Sequence, residues 1–208
     1  MSKSPLESKR ALFVRNLVTL YTHSSQHAHE QGSAWYPEAR RIVREWSESY
    51  LLPVECVAMV VAAISPQCEW PRNLIIADDV LAGRAQSVGG ALHRNVAKAR
   101  TLRDRADNRL DVMMSFFPHG PKVNSFAHNL AGFDNVVTVD THAIQAAFDD
   151  VRVNVTLAWT PYRIIAESYA ETARHVGIAP ATLQATIWHA WKERYPRIVK
   201  RQARRKDR

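Results

Sequence analysis

Cysteine is almost absent: Cys56 and Cys68 are the only two in 208 residues. By themselves they form neither a disulfide framework nor a four-cysteine metal cluster. Glycine is scarce as well, seven against ten prolines, which argues against a glycine-rich phosphate loop as the main device. No apolar run approaches the ~18 residues of a membrane span, and the opening MSKSPLESKR lacks the hydrophobic stretch of a signal peptide. Internal repeats, heptads and low-complexity segments are missing outside the C-terminal tail. The nine histidines show no zinc spacing; His23, His27 and His29 lie on a polar stretch with no cysteine partner. These absences predict a soluble, intracellular, reduced protein with no membrane partner, no metal and no cofactor.

What is present is an ordinary globular composition, 46% hydrophobic and 23% charged, enough to bury a core as one domain or two small lobes. The formal charge is +8 and uneven: Lys192–Arg208 holds nine basic residues against two acidic ones. A tail of this kind seats on a polyanion, nucleic acid above all, with Arg197, Lys200, Arg201 and Arg204 as candidate phosphate contacts. The alternative is a solvated tail that only aids solubility.

Helical periodicity dominates. Residues 9–22 place Leu12, Val14, Leu17, Leu20 and Tyr21 at near-helical spacing. The polar stretch 23–34 reads as a connection before a helix in which Pro37 occupies the first turn. Pro53 opens VECVAMVVAAI, apolar almost all round and therefore a buried helix. RNLIIADDVLAG, stopped by Gly83, and HRNVAKARTLRDRAD follow, then LDVMMSFF, PKVNSFAHNLAG, DTHAIQAAF, TPYRIIAESYAETARHVG and PATLQATIWHAWKERY. Only NVVTVD at 135–140 and VRVNVTL at 151–157 look strand-like, and without partners they read as extended connections. The fold class is all-α, with about ten helices.

The chemistry concentrates in 116–142. A short apolar helix runs into the turn PHGP, and a second helix begins near Lys122. Such a helix–turn–helix aims unpaired helix-start amides at a phosphate. Asp140 lies eighteen residues beyond Lys122, in an apolar setting where a helix should start. An isolated aspartate there is a plain N-cap, and an isolated Lys122 is an exposed helix lysine.

Taken together, Lys122, the eighteen-residue interval and Val139-Asp140-Thr141-His142 resemble the helix-hairpin-helix DNA glycosylases, in particular the endonuclease III-like branch. That family carries a catalytic lysine on an LPGxGxK hairpin and an aspartate in a V-D-T-H motif. Upstream, Ile64-Ser65-Pro66-Gln67 with Asn73 six residues on matches the family's L-S-x-Q segment, whose glutamine enters the duplex. Asn95-Val96-Ala97-Lys98-Ala99 and Ile187-Trp188-His189-Ala190-Trp191 are similar to two further family segments in the right order, so the likeness covers about 55–195. There are departures: Pro118 replaces the first hairpin glycine, Pro121 precedes the lysine, and the C-terminal four-cysteine iron–sulfur motif is missing, so no cluster is expected. In its reduced size the chain is similar to compact phage-type members related to the thymine-hypermodification branch.

The resemblance implies a two-lobed helix-hairpin-helix glycosylase-like domain over 1–195. One lobe would span 53–140 with the hairpin, residues 1–52 plus 141–195 would form the second, and 196–208 would be a basic tail. The active cleft would lie between lobes. The implied activity is excision of a damaged or modified base from double-stranded DNA by base flipping. Asp140 would stabilise the positive charge on the sugar, and Lys122 would serve as Schiff-base nucleophile in a lyase step. If Lys122 only contacts phosphate, water activated by Asp140 would do the work. Gln67 would fill the vacated stack, with His119 and Gly120 on the backbone of the DNA. Trp70, His128 and His142 would line the base pocket, and Trp35-Tyr36 offers a further stacking surface. The protein would act as a monomer in the cytoplasm of a bacterial or phage-infected cell, on nucleoid DNA. Two alternatives are a phage-type transferase that modifies an activated thymine with the glycosidic bond left whole, and a non-catalytic DNA-binding module.

Overall fold

Nine consecutive residues, Cys56–Ile64, are fully buried in the computed structural model, which describes residues 6–153 and 158–196. They belong to α3 (Val54–Ile64), whose VECVAMVVAAI has no polar face after Glu55 and so has to be covered on every side. The cover comes from α4 (Trp70–Leu81), α5 (His93–Arg105), α6 (Leu110–Met114) and α7 (Pro121–Ala131), all of which pack on α3. Burying each Val, Ile or Met of α3 contributes about 1.5–3 kcal/mol, which makes this helix the centre of its unit. Pro53 precedes α3 at its N-cap, and Ser65 with Pro66 ends it.

The remaining elements are α1 (Arg10–Thr22), α2 (Gln26–Tyr50), α8 (Thr141–Phe148), α9 (Trp159–Val176) and α10 (Pro180–Arg194), with a 3-10 turn at Glu7–Lys9. Among the described residues there is no strand, and the chain is all-α. Asn135 lies in a turn and residues 136–140 form a connection with neither helix nor strand, in keeping with their lack of strand partners. Of 151–157, residues 154–157 lie outside the described residues, as do Arg197, Lys200, Arg201, Arg204 and the rest of 197–208.

The chain divides into two compact units: one is Pro37–Thr138, and the other takes the chain up to Tyr36 and from Val139 onward. The expected boundary at 52/53 is therefore found inside α2, at Tyr36/Pro37. In the second unit α1 packs on α8, α9 and α10, and α10 on α8 and α9.

The polar stretch expected as a connection is helical instead. Gln26–Ala34 opens α2, with the Ser25 Oγ accepting from the Ala28 N–H at 3.0 Å. The inward face of α2 is Ala28, Gly32, Tyr36, Ala39 and Val43, a helical interval written in small residues that carry little hydrophobic signal. Pro37 accordingly sits in the interior of the helix, not in its first turn. It removes the donor that would meet the Ser33 carbonyl, and both residues are exposed, so water can serve that carbonyl.

Candidate functional site

Asp140 stands where the extended segment meets α8. Its Oδ1 accepts from the Ala143 N–H at 2.8 Å, so it caps the helix. Oδ2 accepts no hydrogen bond among the described residues. Two buried tyrosines of α9 fix the backbone on either side. The Tyr162 hydroxyl accepts from the Val139 N–H at 3.0 Å, and the Tyr169 hydroxyl donates to the Ala143 carbonyl at 3.2 Å. Seven residues apart, they share one face of α9. Burial first, and the charge of Asp140 second, hold the Tyr169 hydroxyl well above its ordinary range, so it stays a donor. Capping therefore commits one oxygen of Asp140 and leaves the other without a hydrogen bond among the described residues.

Two residues on, His142 is half-buried, with its ring 6.4 Å from that of Trp188 on α10 and its Nδ1 buried without a hydrogen-bond partner among the described residues. Trp188 also carries the Lys192 ammonium 3.8 Å from its ring centre and meets His189 edge-on at 4.9 Å. Burial, then the Lys192 charge, pushes His189 below the usual histidine range. Tyr36, offered as a stacking surface, is core: it is buried and its hydroxyl donates to Gln184 Oε1 at 3.0 Å. Trp35 is half-buried, edge-on to Tyr36 at 4.7 Å.

In the unit around α3, Gln67 is exposed and its φ is +59°. The Cys68 N–H donates to the Ser65 carbonyl at 3.2 Å, closing a turn with Pro66 and Gln67 at its centre. Proline followed by positive φ is the pattern of a type II turn, in which the second central residue is normally glycine or asparagine. A glutamine there costs about 1–2 kcal/mol of backbone strain relative to glycine. The turn is tied down from below. The last four carbonyls of α3 lack helical donors. Asn73 Nδ2 donates to Val61 O at 3.1 Å, Ser65 Oγ to Ala62 O at 2.8 Å and Asn95 Nδ2 to Ala63 O at 2.9 Å.

Trp70 opens α4 three residues after Gln67, and its ring meets Phe126 of α7 at 6.3 Å. Phe126 lies one helical turn after Lys122 on α7, so the ring contact joins the helix that begins just after the Gln67 turn to the helix that carries Lys122. Phe126 escaped the sequence reading, although its four-residue interval from Lys122 was a usable signal. Tyr162 and Tyr169 escaped it with no local signal. Lys122 is half-buried at the second position of α7 and has no hydrogen bond or ion pair among the described residues. A cation in that first turn faces the positive end of the helix, where an anion would be favoured.

The turn before α7 places His119 on the surface and Gly120 half-buried. Gly120 has φ −113°, which any residue adopts, and a Cβ there would come 3.1 Å from Phe117 Cβ. Its N–H donates to the Phe117 carbonyl at 2.9 Å, which also accepts from Asn124 Nδ2 at 3.2 Å. The Nδ1 of His128 pairs with the Asn124 carbonyl at 2.9 Å and its ring meets Phe133 at 5.4 Å. Among the described residues no group of three or more His, Cys, Asp or Glu side chains is placed to hold a metal ion.

No curated protein and no solved structure matches the chain. A family model does, over residues 2–195, and the chain belongs to that family, described as a family of unknown function, DUF7178.

Proposed function

We propose that the protein excises a damaged or modified base from duplex DNA within a helix-hairpin-helix glycosylase-like architecture. The base is flipped out, Gln67 fills the vacated stack, and Asp140 stabilises positive charge on the sugar as the C1′–N bond breaks and its electron pair leaves with the base. The Lys122 amine, as the candidate nucleophile, bonds to C1′; the C1′–O4′ bond then opens, one N–H proton passes to O4′, and the protonated imine left behind is hydrolysed by water. The observation that carries the reading is Gln67: an exposed side chain held in a left-handed turn where glycine would be more stable, at the position the glycosylase likeness assigns to the inserting residue. The uncommitted Asp140 Oδ2 and the helix–turn–helix before Lys122 support it.

Gln67→Gly separates strain from function. It should leave the fold as stable as wild type, or up to about 1 kcal/mol more so, while base release from duplex DNA falls at least tenfold. Released bases from natural and phage DNAs are identified by mass spectrometry. Unimpaired release by Gln67→Gly would remove the insertion role. A gain in base mass with an amine donor, and no abasic product, would replace excision by transfer to thymine; binding with neither product would leave a DNA-binding module. Borohydride trapping on abasic DNA, present in wild type and lost in Lys122→Gln, tests the imine.

A further inference from the structure

The loops carrying Gln67 and Lys122 are both fastened to one helix, and the fastening residues are neighbours on it. Asn95 and Lys98 stand three apart on α5, hence on the same face. Asn95 is buried and its amide holds Ala63 O, two residues before the Gln67 turn begins at Ser65. Lys98 is half-buried; its Nζ donates to Phe116 O at 2.5 Å, in the turn that leads to Lys122, and lies 4.6 Å from the centre of the Phe117 ring.

Lys98 is the informative member. Among the described residues it pairs with no carboxylate; its charge meets only a carbonyl dipole and an aromatic face. A surface lysine gains more by staying hydrated and mobile, since fixing its chain costs about 2 kcal/mol of rotamer freedom. Here that freedom is surrendered to one main-chain oxygen. Phe117 O, the next carbonyl, is held from the other side by Asn124. The Asn95 amide likewise completes a set of three donors on the end of α3, so both loops are braced through main-chain atoms rather than through residues a ligand would touch.

We infer that α5 is a bracket that sets the reach between the Gln67 turn and Lys122, with Asn95 and Lys98 as positioning residues for DNA engagement. The inference rests on the excision reading for its function, not for its geometry. Full-length Lys98→Met and Lys98→Arg are compared by amide hydrogen exchange and by single-turnover base release. Ser115, Phe116, Phe117 and Gly120 all donate main-chain hydrogen bonds, so exchange reports on this turn directly.

Lys98→Met should speed exchange at 115–120 tenfold or more, leave 65–68 unchanged, and lower the rate of base release about tenfold at unchanged Kd for duplex DNA. Lys98→Arg, which can still donate to Phe116 O, should restore both. Asn95→Ala should show the reverse exchange pattern, with 65–68 affected; if it does not fold, the Lys98 pair decides. Unchanged exchange at 115–120 in Lys98→Met, or equal acceleration across α3 to α7, overturns the bracket. If wild type releases no base, the excision reading fails while the exchange result still judges the bracket.

Discussion

Residues 37–138 close around a helix with nine consecutive buried positions, whereas in the unit holding Asp140 the longest buried runs among the described residues are five, Ala143–Ala147 on α8 and Leu183–Ile187 on α10. The contrast extends to how candidate groups are held. Around α3, which has almost no polar side chain of its own, Asn73, Asn95 and Lys98 bring side-chain donors from neighbouring helices to main-chain carbonyls, and Asn124 adds a second donor to Phe117 O, which already accepts from the Gly120 N–H. Around Asp140 the same work falls to buried aromatic residues with hydroxyls, Tyr162 and Tyr169. A helix end demands donors; a helix start preceded by an extended segment demands a mixture, and tyrosine supplies either role. Charge separates the regions as well. Residues 37–138 carry twelve Lys and Arg against eleven Asp and Glu, while 197–208 carry seven against one.

The largest stability effect should come from a pair of glycines, one in each unit. Gly32→Ala gains about 1 kcal/mol of helix propensity, but its Cβ would lie 2.3 Å from Thr186 Oγ1 and 2.4 Å from Thr186 Cα. Backbone cannot step aside cheaply, so urea unfolding should show a net loss of about 2 kcal/mol or more. At Gly132 the space is open and φ is +114°; there alanine should lose about 1 kcal/mol through backbone strain alone. Equal losses would mean that close packing does not distinguish the units.

Asp140→Asn should retain the cap, because the amide oxygen still accepts from Ala143, yet base release should fall 100-fold or more as the charge is lost. A stable variant with wild-type turnover would reduce Asp140 to a cap. Tyr162→Phe leaves the buried Val139 N–H without its acceptor, and denaturation should register about 1–3 kcal/mol. Removing 197–208 should weaken binding to all DNA sequences alike and flatten the dependence of log K on log salt. An unchanged slope would return the tail to the solvated alternative.

The smallest effect concerns pH. His189 titrates below its ordinary 6.5 in the folded chain, facing Lys192, Glu193 and His27, so below about pH 6.5 the unfolded chain binds the extra proton more readily. Its contribution to stability is therefore level above that pH and declines as the solution is acidified. His189→Gln should flatten the decline, as read from Tm across pH 7 to 5.

The helices, the buried character of 54–64 and the capping position of Asp140 were all legible locally, because period, proline placement and N-cap chemistry act over a few residues. The start of α2 was not. Its inward face is alanine and glycine, chosen for the approach of Thr186, and a small residue announces nothing until its neighbour is known. The Asp140 aspartate could be found from its motif, but the tyrosines that hold it lie 22 and 29 residues away, at an interval that only packing defines.

Composition and periodicity by themselves determined that this chain is all-α, that one helix must be wholly enclosed, and that its positive charge gathers at the C-terminal end, since each follows from side-chain chemistry summed along the chain. Only the tertiary structure decided that the unit boundary falls at Pro37, that Gln67 sits in a left-handed turn, and that Asn95 and Lys98 hold two loops from one helix face. Those facts depend on which carbonyls are left without donors once the helices have packed, and no local sequence pattern records that.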